Sequence, residues 1–299
     1  MPCALRQGCL YGMSDDHLPV GASAHLRRVN NDEQTMDTTI KDYPVLVFVV
    51  TFGLLWLAER IGAKAIRGPR SPSADARQDV GVIQAAVLTL LGLLIGFCFA
   101  MAVSRYDQRK LYEEAEANAI GTEYVRAGLL PAADAEAARA LLREYLRCRL
   151  DFYTNHDAAS LKKTDVATAA LHARLWAVVE RNAAANPNVI VGLTVAGMNE
   201  VLNAEGYTQS SWWNRIPNSA WMLMLVVAVC SNALVGYGLR KAESARYLLL
   251  VLPMVVGVSF ALIADIDSPR GGLIRVEPYN LMRLAASVPA GPASFMDPR

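Results

Sequence analysis

At 299 residues with a formal net charge of +1, the chain lacks the basic excess that draws a protein to nucleic acid. Hydrophobic residues make up 53% of it, which suits a protein with part of its mass in lipid. Its five cysteines (Cys3, Cys9, Cys98, Cys148 and Cys230) form no CxxC pair, so neither a zinc site nor a disulfide framework is indicated.

Residues 1–42 carry no helical or strand period and read as a disordered N-terminal tail, with Met36 as an alternative start. The first hydrophobic run, Tyr43 to Ala58, is short for a crossing unless it continues, tilted, to Ile66, and Tyr43 and Trp56 suit the two interfaces. A short basic loop containing Pro69 and Pro72 follows. The second run, residues 80–103, is almost wholly apolar apart from Gln84 and spans a hydrocarbon core of about 30 Å. No helix breaker ends it. The spacing predicts one helix from this span into water, about 45 residues or about 70 Å long. Arg109 with Glu113, and Lys110 with Glu114, then fall at i, i+4 spacing. Residues 43–103 therefore form a first transmembrane pair.

Residues 104–215 read as a helical soluble insertion. Three stripes recur at steps of three and four: Leu142, Leu146, Leu150, Tyr153; Leu171, Leu175, Val179; and Val191, Val195, Met198, Leu202. Each needs a partner, which predicts a small bundle completed by the extension of span two. Residues 216–266 hold two more spans, with Trp212, Trp213 and Trp221 at the start of the first and Pro253 inside the second. Residues 267–299 read as a C-terminal surface segment of a turn, an extended piece and one amphipathic turn. The fold class is all-α: a multi-pass membrane protein of four transmembrane helices with the insertion between spans two and three.

Candidate sites are few. Gly92, Gly96 and Ala100 form a ridge of small residues, either an oligomer face or an ordinary contact with a neighbouring span. Ile95, Phe99 and Val103 form an apolar stripe, which constricts a pore if several copies surround an axis and otherwise faces lipid or the core. Asp265 and Asp267, at the end of span four, read as structural carboxylates neutralised by Arg270 and Arg275. Gln84, Asn218 and Asn232 suit hydrogen bonds between spans. The histidines, His17, His25, His156 and His172, are too scattered for a zinc pair, and no GxSxG or phosphate loop occurs. No enzyme activity and no cofactor is implied.

Three stretches, residues 88–124, 215–229 and 264–276, together resemble the bacterial bestrophin-like domain family. The last ends in the family's Asp-x-Pro-x-x-Gly pattern, supplied by Asp267, Pro269 and Gly272. The resemblance implies a bacterial inner-membrane protein in a homo-oligomer. By extension to bestrophins proper, it implies an anion channel whose second-span apolar residues form the neck, where Ile95, Phe99 and Val103 occupy a similar place. Its partners would be the lipid bilayer, further copies of itself and inorganic anions. The competing reading is a membrane-anchored scaffold without transport activity. Topology is drawn two ways: the short loops carry eight Lys or Arg against five in residues 36–42 and the C-terminal tail, which puts the insertion outside, whereas the resemblance puts it in the cytoplasm.

Overall fold

The computed structural model describes residues 41–64, 74–155, 157–238 and 248–289. Most of the expected tail and five of the eight basic residues on which the charge argument rests (Arg67, Arg70, Arg240, Lys241 and Arg246) lie outside the described residues, as do Cys3, Cys9, His17, His25 and His156, whereas Arg60, Lys64 and Arg77 sit in described helix ends. Among the described residues the protein is all-helical. The helices are α1 (Pro44–Lys64), α2 (Ala74–Arg126), α3 (Ala132–Thr154), α4 (Ala158–Ala185), α5 (Val189–Trp213), α6 (Asn218–Gly238), α7 (Leu248–Asp267) and α8 (Tyr279–Ser287). Four stretches, carried by α1, α2, α6 and α7, are long and apolar enough to cross a membrane.

The expected rod exists and is longer than its periodicity implied. At 53 residues, α2 reaches about 80 Å, because the polar stretch ahead of the apolar run is helical too. It ends in a short 3-10 turn, Ala127–Leu129. Pro131 forces that stop: Leu130 before it is extended at φ −80°, ψ 163°, a geometry proline imposes on its predecessor. Downstream, α4 and α5 begin on side-chain caps, with Asp157 accepting from the Ser160 amide and Asn188 from the Val191 amide, both at 2.9 Å.

Two cores result. The membrane core gathers Leu55, Leu91, Ala102, Met224, Phe260 and Ile263 from all four spans. The insertion core gathers the first two stripes and the middle of the third: Leu142, Leu146, Tyr153, Leu171, Leu175, Val179 and Met198 are buried, with Leu150 and Val195 packed against them, while Val191 and Leu202 at the ends of the third stripe lie outside this core. The extension of α2 contributes Ile120 and Ala127 to this second core, so the rod is one wall of the bundle.

Four local expectations change. Arg109 and Glu113 are not a solvent pair: they are 1% and 2% exposed, each bonded to a distant segment. Lys110 lies 5.8 Å over the Tyr106 ring. Asn232 donates to the Ala228 carbonyl of its own helix at 2.8 Å rather than across to another span. The segment after α7 does not lie loose on the surface. Leu281 of α8 is fully buried in the insertion core, and Glu113 of α2 accepts the Asn280 and Leu281 amides at 2.9 and 3.0 Å. These are orphan donors of a helix N-terminus, and a carboxylate there also complements the helix dipole.

Candidate functional site

Two regions stand out: the outer face of α2 in its membrane-spanning part, and a charged joint where the spans meet the insertion.

On α2, Leu91, Cys98 and Ala102 turn inward. The opposite side is open. A Cβ built on Gly92 or Gly96 meets no atom within 4 Å, and Ala100 is exposed beside them. The small ridge therefore does not serve close approach to a neighbouring span of the same chain. The apolar stripe is divided. Ile95 and Val103 rest partly against the membrane core, while Phe99 is 39% exposed. Below Phe99 an open groove runs between Ala100, Ser104, Asp107, Gln108 and Leu111, changing from apolar to polar along the helix. One helix face cannot enclose a path; several copies around an axis can.

At the joint, Arg109 reaches three backbone carbonyls: Ser211 at 3.3 Å, Ile266 at 3.2 Å and Asp267 at 2.9 Å. One guanidinium thus ties α2 to the end of α5 and the end of α7. The planar fork suits this, since it presents several donors in a fixed geometry. Asp267 points the other way and accepts the Ile216 amide at 3.1 and 3.2 Å, just before α6. Its neighbouring cations are Arg109, Arg215 and Arg105. Arg215 pairs with Asp42 at 2.9 Å, and Ser268 donates to the same carboxylate at 2.8 Å. Asp42, placed by sequence in the tail, is thus part of the folded joint.

Asp265 closes the following turn by accepting from Leu273 at 2.6 Å and Ile274 at 3.2 Å. A Cβ on Gly272 would fall 2.3 Å from the Asp265 carboxylate and one on Gly271 1.9 Å from the Asp42 carbonyl, so both glycines are required by close approach. Both aspartates are thus held by backbone amides, and the cations beside Asp267 are Arg109, Arg215 and Arg105 rather than the expected Arg270. Arg270 instead lies 4.8 Å from the Phe152 ring and 4.6 Å from the Trp212 ring, and donates to the Asn155 carbonyl. Burial pulls its pKa down to about 10, with Asp165 opposing that shift.

Above the joint lies a buried polar network that the apolar stripes gave no sign of. Arg149 is fully buried and bonds Glu116 through Nε and through Nη2. Thr208 donates to Glu116 at 2.9 Å, and Glu205 is 3.6 Å from Arg149. Burial works against the Arg149 charge, but Glu116 beside it holds its pKa above the ordinary guanidinium range. His172 contacts the Tyr145 hydroxyl at 3.4 Å, and burial and the Arg149 charge both push its pKa down.

Comparison with known proteins adds a family. The model of the Bestrophin-like domain matches residues 45–281. No curated protein matches. Among solved structures, the bacterial bestrophin homologue from Klebsiella pneumoniae is similar at a TM-score of 0.55 and 12% identity, covering 82% of this chain and 99% of that one. A single-residue variant of that homologue gives 0.56 and 12%, covering 81% and 97%. A structure described only as a membrane protein gives 0.55 and 13%, covering 80% and 99%. At these identities the likeness is one of fold. The family match, spanning all four membrane helices and the insertion, is what assigns the protein: this chain belongs to the Bestrophin-like domain family.

Proposed function

We propose that the protein is a subunit of a homo-oligomeric anion channel in the bacterial inner membrane, not an enzyme, with α2 nearest the axis. Ile95, Phe99 and Val103 then form an apolar neck, and Gly92, Gly96 and Ala100 let copies approach closely. The observation that carries this reading is the open side of α2. Among the described residues nothing meets a Cβ at Gly92 or Gly96, and Phe99 beside them is 39% exposed. The anion assignment rests on the family alone.

In detergent, the purified protein should run as one discrete oligomer, and liposomes containing it should pass halide. Gly96→Leu should break the oligomer up while Leu93→Ala leaves it intact, because only the first adds volume to the ridge. A monomer without flux would leave a membrane-anchored scaffold as the function. Cation-selective flux through an intact oligomer would keep the channel and overturn the anion assignment.

A further inference from the structure

Outside the membrane-spanning segments, Glu123 is a buried charged side chain that no partner explains. It lies in the last turn of α2, 1% exposed, and neither carboxylate oxygen has a hydrogen-bond partner among the described residues. Across the contact is Gly197 of α5. A Cβ built there would fall 2.0 Å from Glu123 Oε2 and 2.6 Å from Arg126 Nη1, so the glycine opens a notch that the carboxyl fills. An apolar side chain could fill such a notch at any pH. A carboxyl makes the packing depend on a proton, because an ionised group buried without donors is far costlier than the neutral acid.

The charged surroundings are sparse. Arg126, on the same helix, borders the notch without hydrogen-bonding the carboxyl, and Glu200 of α5 adds charge of the same sign. Arg139 of α3 is engaged elsewhere, on the Tyr124 carbonyl and ring, and α8 offers Leu284 against Gly121. Burial pushes the Glu123 pKa up to about 8, with Arg126 opposing and Glu200 reinforcing.

We propose that Glu123 is a proton-binding site at the contact of α2 with α5. With the proton bound, the neutral carboxyl seats in the Gly197 notch and the two helices stay close. When the proton leaves to solvent, the carboxylate swings out toward Arg126 and the far end of the rod loosens from α5. The direction in pH follows from the two states. Below about 4.5 both folded and unfolded chains hold the proton. Between about 4.5 and about 8 only the folded protein does, so this contact loses stability as pH rises through that window and levels off above it.

The test uses the full-length protein in detergent. Infrared difference spectra across a pH titration should show one carboxylic-acid band vanishing with a midpoint near 8 in the wild type and absent from Glu123→Gln. Thermal melts should show Glu123→Gln gaining on the wild type as pH rises from about 5 to about 8. Should Glu123→Gln fail to fold, Gly197→Ala decides. Its added methyl displaces the carboxyl from the notch and should move the midpoint down by at least one pH unit. A wild type without such a band, spectra identical in wild type and Glu123→Gln, or a midpoint unmoved in Gly197→Ala would each overturn the proposal.

Discussion

Arg109→Met should destabilise the protein by about 3–5 kcal/mol, seen as a drop of about 10 °C in the melting midpoint in detergent. The side chain is 1% exposed and serves three carbonyls from two separate segments. Removing it leaves those acceptors buried without a donor and takes away a cation beside Asp267. Arg109→Lys should recover only part of the loss, since an ammonium on a flexible stem does not reproduce the fork across both segments. Lys110→Ala, one residue on and exposed, should shift the midpoint little. Equal melting of the Met and Ala variants would remove Arg109 from its place as the tie between the rod, α5 and α7.

That arginine also marks where the sequence stopped being readable. The spans and the insertion helices were legible because apolar periodicity is a local signal: Leu171, Leu175 and Val179 need only their own spacing to announce a buried face. The charged wall of α2 was not. Arg109, Glu113, Glu116 and Glu123 look like the polar face of a rod in water, and Arg109 with Glu113 mimics a solvent ion pair. Yet they continue, at steps of three, four and seven, the line that begins at buried Ala102 and ends at buried Ala127. Sharing that line with Ile120 was the available clue. The partners were beyond reach, since they are backbone groups at Ser211, Ile266 and Asn280 or an arginine on another helix.

The same limit applied to the α2 ridge. Three small residues at i, i+4 spacing fit an intrachain contact and an oligomer face equally well. Only the placement of the other spans shows that nothing among the described residues meets Gly92 or Gly96. Among the described residues the spans that meet backbone to backbone at glycines are α1 and α6, where Gly62 and Gly236 carried no motif that set them apart from other glycines.

At that crossing, Gly236→Leu should be among the most damaging single substitutions in the membrane core, costing about 3–5 kcal/mol. A Cβ on Gly236 would fall 2.1 Å from the Glu59 carbonyl oxygen, and one on Gly62 would fall 2.0 Å from that of Ala233. Both obstacles are backbone, so no rotamer change relieves them and the two helices must separate. Separation uncovers side chains now buried on these two helices, Leu55, Glu59 and Val235 among them. Even Gly62→Ala should be felt, because a single methyl already overlaps the opposing carbonyl. Gly53 of α1 is the internal control: a Cβ there meets nothing within 4 Å. Gly53→Ala should be neutral or stabilise the helix by up to about 1 kcal/mol, through its better helix propensity. Unfolding by a denaturing detergent, followed by circular dichroism, ranks the three variants. If Gly236→Leu unfolds at the same detergent fraction as Gly53→Ala, the close crossing of α1 and α6 is not what holds the first span in place.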